Sequence, residues 1–333
     1  MSTSDPLVDR FGRPHRDLRI SVTDRCNLRC RYCMPAEGVA ARPHAEILTF
    51  EEIERLVRIA VRMGIREVRV TGGEPLVRKG VCTLVRRLAA IPGIEDLAMT
   101  TNAVLLGPYA AELKAAGLQR LNISLDSLDR DRFRQVTRRD DLPRVLEGIA
   151  AARRAGFARI KLNALAIRGQ TEKDVVPLAR FARQGGMELR FIEYMPLDAD
   201  ARWQLVQVLP GAEILDLLRQ GIGPLVPVAS ADPQAPATEY RFADGRGTIG
   251  LIGSVTEPFC HRCGRLRLTA EGTIRNCLFA SEECDVRVLL RSGASNEDLA
   301  RLLVKAVQGK RRARGTDDGQ FARPDRTMHQ IGG

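Results

Sequence analysis

The 333-residue sequence predicts an α/β protein with a parallel sheet. Two observations carry that expectation. Six short apolar, β-rich runs alternate with segments of helical periodicity, and such alternation implies parallel strands joined by crossover helices. Polar and glycine residues recur at the C-terminal ends of those runs, the rim on which α/β enzymes keep their chemistry.

The elements follow in chain order. Residues 18–22, LRISV, read as the first strand. Over 50–64 the apolar residues Ile53, Leu56, Val57, Ala60, Val61 and Met63 recur at helical spacing, with Thr49 as N-cap and Gly64 as stop. Strand 68–73 leads to helix 80–90, and strand 97–102 to helix 107–116. Strand 121–126 is followed by a short helix, 129–137, and a longer one, 142–155. Strand 160–167 precedes helix 172–184, and strand 188–195 precedes a loop and a helix near 211–220. Proline and alanine dominate 223–237, which reads as a loop or linker. It divides an N-terminal region, 1–222, from a C-terminal region, 223–333. The latter holds short hairpin-like pieces, a helix over 295–310 and a polar, mobile tail from 311.

The net charge of +11 fits a polyanionic partner, nucleic acid or a phosphorylated small molecule. It equally fits compositional drift, because only six of the 52 basic residues are lysine and the arginines are spread along the chain. The densest basic run, Lys310-Arg311-Arg312-Ala313-Arg314, is short and lacks interleaved aromatics, a poor nucleic-acid signature. No apolar run reaches 18 residues and the N-terminus has no apolar signal segment. Neither a membrane span nor export is expected, so the chain reads as cytoplasmic. Thiols are kept reduced there, and clustered cysteines point to metal or catalysis rather than disulfides.

Three of the eight cysteines, Cys26, Cys30 and Cys33, fall in one Cys-x3-Cys-x2-Cys loop after the first strand. Three thiolates this close suit an iron–sulfur cluster with one iron left open; zinc with a distant fourth ligand is the alternative. With Tyr32 before the last cysteine and Gly72-Gly73-Glu74-Pro75 downstream, the sequence resembles the radical S-adenosylmethionine (SAM) superfamily. The resemblance implies a [4Fe–4S] cluster on Cys26, Cys30 and Cys33 whose open iron chelates SAM. It implies a SAM site that includes Tyr32, Gly73, Ser124 and Met195. It also implies a partial (β/α)6 TIM-like barrel, in agreement with the six alternations. An electron from the cluster breaks a carbon–sulfur bond of SAM, and the 5′-deoxyadenosyl radical takes a hydrogen atom from substrate. That is chemistry no side chain supplies.

Cys260-x2-Cys263-x13-Cys277 is a second triplet. Alone it suits zinc, with Cys284 or His261 as fourth ligand. Paired with the first triplet and followed by Gly264-Arg265-Leu266-Arg267, it resembles the GTP 3′,8-cyclase family of molybdenum cofactor biosynthesis, from Leu18 to the final Gly-Gly. The resemblance implies a second [4Fe–4S] cluster on Cys260, Cys263 and Cys277, in the C-terminal region, with its open iron at the guanine of GTP. It places Arg19, Arg69, Thr100, Lys161, Arg190, Arg265, Leu266 and Arg267 around GTP. Arg265 and Arg267 alternate on a short strand and face one way, and the guanidinium fork suits a triphosphate. The implied reaction removes the ribose 3′ hydrogen, joins C3′ to C8 and gives (8S)-3′,8-cyclo-7,8-dihydroguanosine 5′-triphosphate. The product goes to cyclic pyranopterin monophosphate synthase.

The resemblance further implies a homodimer whose small-molecule partner is GTP, with no nucleic acid and no membrane. The residues identify no electron donor. Gly332 and Gly333 end the chain; read alone they are a disordered terminus, whereas the family's tail threads into its active site, where residues without Cβ come close to a ligand. Cys82 reads as core, and His15, His44, His261 and His329 form no metal spacing. Two other readings stand beside this one: another radical SAM enzyme with an auxiliary cluster, and a zinc-stabilised nucleic-acid-binding protein. The last leaves the six strand–helix alternations without purpose.

Overall fold

In a computed structural model the described residues are 6–332, apart from 41, 231, 319, 322 and 325. The six expected alternations are present. They are β1 (Asp17–Ser21) with α1 (Phe50–Arg62), β2 (Glu67–Thr71) with α2 (Val81–Ala89), and β3 (Asp96–Thr101) with α3 (Leu106–Ala115). Then come β4 (Arg120–Ser124) with α4 (Arg130–Thr137) and α5 (Leu142–Arg154), β5 (Arg159–Ala166) with α6 (Glu172–Gln184), and β6 (Glu188–Glu193) with α7 (Gly211–Gly221). Thr49 does cap α1. Its hydroxyl accepts from Glu52 N at 3.2 Å, while the Glu52 carboxylate accepts from Thr49 N at 2.7 Å, a reciprocal capping box.

The C-terminal pieces are β7 (Leu225–Val228), β8 (Thr238–Phe242), β9 (Thr248–Ile252), β10 (Arg265–Leu268), β11 (Thr273–Arg275) and β12 (Cys284–Asp285). Helices α8 (Arg287–Arg291), α9 (Asn296–Gln308) and α10 (Met328–Ile331) follow. Two expectations change here. Part of the stretch read as a loop is a strand: β7 carries Pro227 on the outer edge of the sheet, where a missing N–H costs no ladder bond. The short pieces are not a set of isolated hairpins either. β9 pairs in parallel with β6 and β10 in parallel with β1, so all twelve strands among the described residues form one sheet, in the order β12-β11-β10-β1-β2-β3-β4-β5-β6-β9-β8-β7. The chain returns from its far end to extend both sides of the β1–β6 array.

Strand periodicity sorts the side chains into two environments. Outward positions Leu18, Ile20, Val68, Val70, Leu97, Met99, Leu121, Ile123, Leu162, Leu189 and Phe191 are buried under the helices, in one continuous apolar core. Inward positions are polar: Asp17, Arg19, Glu67, Arg69, Asp96, Thr100, Arg120, Asn122, Arg159, Lys161, Asn163, Glu188 and Arg190 all line one cavity. Residues from both ends of the β1–β6 array, Arg265 of β10 and Ile252 of β9, line that same cavity, so the sheet curls around it. Cys82 is core, as expected from its place in α2.

Helix α5 packs beside α3 at Gly148, where an added Cβ would run into the carbonyl of Ala103. Gly148→Ala should therefore lower stability by about 1–3 kcal/mol through overpacking, measured as a shift of the chemical denaturation midpoint at constant slope.

Candidate functional site

The first cysteine loop leaves β1 directly. Arg29 Nη1 donates to the carbonyls of Cys26 at 2.7 Å and Leu28 at 2.9 Å, folding the loop on itself. Arg138 Nη1 donates to the carbonyls of Arg29 (3.0 Å) and Met34 (2.9 Å), pinning the loop to the C-terminal end of α4. The glycine run after β2 lies against its base. Gly73 N donates to the Thr23 carbonyl at 2.8 Å and Glu74 N to that of Arg25 at 2.8 Å. Cβ atoms at Gly72 and Gly73 would strike the backbones of Thr23 and Arg25, so this approach needs glycine. Glu74 is buried and accepts from Leu76 N, Thr101 Oγ1 and Asn102 N at 3.1, 2.7 and 2.7 Å, locking the loop to the end of β3. Burial holds its carboxyl up at about 7 against those three bonds.

Cys26, Cys30 and Cys33 are free thiols, each partly buried. Burial pushes Cys26 up to about 11, helped by Glu74, and Cys33 up to about 12, helped by Cys26. Cys30 is raised by burial and then by Cys33, Asp126 and Cys26, so the three thiols lie within one another's field. Three soft thiolates grouped in one loop are a donor set that fits an iron–sulfur cluster, in which each cysteine caps a different iron. Beside it, Tyr32 Oη donates to Asp126 Oδ2 at 2.7 Å, and Asp126 Oδ1 accepts from Leu165 N at 2.8 Å.

The cavity measures about 640 Å³ and runs from the first residues of the strands to the rim. Tyr32, Ser124 and Met195 stand at its upper part, and Thr100, Lys161, Arg190, Arg19, Arg69, Arg265 and Arg267 along its wall. Registry creates a row of charge: Arg19 lies opposite Arg69 on one side and Arg267 on the other. Burial and then the neighbouring guanidiniums push Arg19 well below the ordinary arginine range. Arg69 and Arg267 are pulled down to about 10, burial being the main cause. Asp17 is the nearby counter-charge, and despite its burial Arg19 and Arg69 hold it below the usual carboxylate range. One carboxylate faces Arg19, Arg69, Arg265 and Arg267. Buried Arg19 Nε, Arg69 Nε, Asn122 Nδ2 and Asn163 Oδ1 have no hydrogen-bond partner among the described residues. Polar atoms of this kind are normally satisfied, and here they face a cavity able to hold a polyanion.

The second triad belongs to the cavity wall itself. Cys260 and Cys263 flank a single 3-10 turn, Cys277 follows β11, and all three line the cavity. Arg265 lies over the Phe259 ring at 4.8 Å. Burial raises Cys260, as it raises the first three thiols, but at Cys263 the neighbouring cations win. Burial alone raises a thiol, yet Lys310 and Arg265 bring Cys263 down to about 7.

The tail departs from the mobile terminus expected of residues 311 onward. Met328 and Ile331 sit one helical turn apart on α10 and pack with Leu197 and Phe279. His329 Nδ1 donates to the Cys33 carbonyl at 3.2 Å, and the Gly332 carbonyl accepts from Arg267 Nη1 at 2.5 Å. Gly332, at φ +67°, lies against Thr71 and Ser21 at the ends of β2 and β1. Gly333 lies outside the described residues. Of the remaining expected site residues, Gly73 supports the first loop from behind and Leu266 does not join the arginines. Leu266 alternates to the outer face of β10 and is fully buried in the apolar core. Asp17, Asn122 and Glu188 are not among the expected site residues, although their inward strand positions are readable from the same period of two.

Residues 20–182 match the family model described as the radical SAM superfamily, and residues 187–315 the one described as Molybdenum Cofactor Synthesis C. A Rhodopirellula baltica protein named GTP 3′,8-cyclase is 52% identical, covering 99% of this chain and 93% of that protein. One of the same name from Pelotomaculum thermopropionicum is 47% identical, covering 98% and 100%. Among solved structures, Streptococcus suis SuiB bound to S-adenosylmethionine superposes with a TM-score of 0.60 at 15% identity, covering 88% of this chain and 66% of that one. SuiB bound to its precursor peptide SuiA gives 0.61 at 15% identity, covering 92% and 68%. At that identity the likeness concerns the fold.

The crowded guanidiniums generate a prediction. Inorganic triphosphate should raise the melting temperature of the cluster-free chain, and 0.5 M salt should weaken the effect. Arg69→Met should remove the stabilisation and itself raise the ligand-free melting temperature by about 2–4 °C, because it deletes an incompletely compensated buried cation.

Proposed function

The chain belongs to the GTP 3′,8-cyclases of the radical SAM superfamily, and from that premise we propose how its own residues carry out the first step of molybdenum cofactor biosynthesis. The observation that carries the proposal is the one cavity: a cysteine loop at its rim, a second triad on its wall and a row of under-compensated arginines between them.

Cys26, Cys30 and Cys33 would hold one [4Fe–4S] cluster, and Cys260, Cys263 and Cys277 would hold a second. When bound, the first cluster with SAM supplies the radical that removes the ribose 3′ hydrogen of GTP. Tyr32, Gly73, Ser124 and Met195 form the SAM side, with Glu74 fixing the glycine loop and Asp126 orienting Tyr32. Arg19, Arg69, Arg265 and Arg267 grip the triphosphate through their forks, and Lys161, Arg190 and Thr100 complete the wall. Leu266 contributes to that grip only by holding β10 in register. Met195, Leu197, Phe279 and Met328 make the apolar side of the cavity, which keeps water from the reacting carbons. Gly332 closes the site.

In this reading, residues 1–222 form the radical-generating barrel and 223–333 the substrate-presenting region, built onto its two edges. The protein works as a cytoplasmic homodimer and passes (8S)-3′,8-cyclo-7,8-dihydroguanosine 5′-triphosphate to cyclic pyranopterin monophosphate synthase. Among the described residues no helix is long and apolar enough to cross a membrane.

Single substitutions separate the two triads. With dithionite, SAM and GTP, Cys26→Ala should abolish formation of 5′-deoxyadenosine. Cys277→Ala should keep a reducible first cluster while cyclised product falls by at least about a hundredfold, the size of a lost metal-ligand or orienting contact. Chromatographic quantification of both products decides; full cyclisation by Cys277→Ala would remove the second triad from the substrate site.

A further inference from the structure

The basic run 310–314 is absorbed into the fold one residue at a time. Arg311 pairs with Glu282 and Asp317, Arg312 N donates to Asp317, and Arg314 lies over the Phe321 ring. Lys310 goes the other way. It follows the C-terminal end of α9 and is only 2% exposed. Burying an ammonium is costly unless its donors are matched and its charge is answered. Its three protons find three acceptors: Arg265 O at 3.1 Å, His15 Nε2 at 3.2 Å and Cys263 Sγ at 3.8 Å. A carbonyl and a neutral imidazole carry no charge. Among these partners only the sulfur of Cys263 can be an anion.

The clamp on Lys310 is built by the N-terminal arm. His15 is 1% exposed, and its Nδ1 stands 3.1 Å from the Arg13 carbonyl. A carbonyl can only accept, so Nδ1 carries the proton and Nε2 is left to accept from Lys310. Burial, followed by Lys310 itself, pushes this imidazole down to about 3, so it stays neutral. Arg13 is buried against Asp9 at 2.6 Å and donates to the carbonyls of Cys260 at 2.8 Å, Arg312 at 2.9 Å and Arg311 at 2.9 Å. A Cβ at Gly264 would strike the Pro14 carbonyl, so the arm lies directly against the second cysteine turn. At the first triad the neighbouring cation, Arg29, bonds the Cys26 carbonyl and not its sulfur. There the donors to Cys26 Sγ are the neutral groups Leu28 N at 3.4 Å and Asn102 Nδ2 at 3.7 Å.

We propose that Lys310, clamped by His15 of the N-terminal arm, is a positioning residue of the second cluster, whose charge and hydrogen bond to Cys263 raise that cluster's reduction potential. The proposal rests on the assignment of a cluster to Cys260, Cys263 and Cys277. A fixed positive charge and an N–H···S bond both favour the form carrying the added electron. Lys310 also donates to the Arg265 carbonyl, so the same side chain ties Cys263 to the arginine row that lines the cavity.

The test uses the full chain with Cys26, Cys30 and Cys33 changed to Ala, reconstituted anaerobically with iron and sulfide so that only the second cluster forms. Iron per chain and the midpoint potential from an EPR-monitored titration are measured with and without K310M and K310R. K310M should move the reduction equilibrium against the reduced cluster by about tenfold, the size of one charge-assisted hydrogen bond, and K310R should recover much of it. An unchanged midpoint in K310M overturns the proposal while leaving the second cluster in place. Failure of the parent chain to bind any cluster overturns the cluster assignment and the proposal together. Should K310M fail to load iron, H15L decides, because it keeps the lysine and removes its clamp: a shift in the same direction supports the proposal, and an unchanged midpoint overturns it.

Discussion

The structure depends on an interior that its own residues leave electrostatically incomplete. On the outer side of each barrel strand, Leu18, Val70, Met99, Ile123, Leu162 and Phe191 meet helices and are satisfied by burial. On the inner side, Arg19, Arg69 and Arg267 stand in one row with Asp17 as their near counter-charge. A core filled with Leu and Val at those positions would be more stable and would bind nothing. The inner row instead stores unfavourable desolvation that a multiply charged anion relieves, and this makes the cavity a site and not a void.

Around that row the two cysteine groups differ in the field they experience. The first is held among backbone carbonyls, with Glu74 and Asp126 nearby, and its buried thiols are driven upward. The second is set beside Lys310, Arg265 and Arg267, which draw Cys263 down in spite of burial. The tail joins the two environments physically: His329 bonds the Cys33 carbonyl and Gly332 bonds Arg267, with one short helix between them. Closing a radical site in this way combines water exclusion with a direct contact to the anion-binding row.

Much of this was legible before any coordinates. The strands and helices of the first 220 residues show in their periodicity, because each strand has one face toward a helix and each helix one face toward the sheet. Both triplets show in their spacing. What was not legible depends on contacts distant in sequence. Nothing local to 248–252 or 265–268 says that these strands pair in parallel with β6 and β1. Pro227 argued for a loop, and only its place on the sheet edge makes it compatible with a strand. The resemblance sets Leu266 beside Arg265 and Arg267 at the substrate, although alternation sends it to the core. Lys310 reads in sequence only as one member of a short basic run, because its inward partners, His15 and Cys263, lie 295 and 47 residues away.

The central claim is that GTP lies in the arginine-lined cavity with its ribose turned toward the first cysteine loop. The most direct measurement is isotope transfer with GTP deuterated at the ribose 3′ position, using anaerobically reconstituted protein, SAM and dithionite, and mass analysis of the 5′-deoxyadenosine formed. The account predicts that the deuterium appears in 5′-deoxyadenosine in step with cyclised product. Unlabelled 5′-deoxyadenosine alongside cyclised product that retains the label would contradict it.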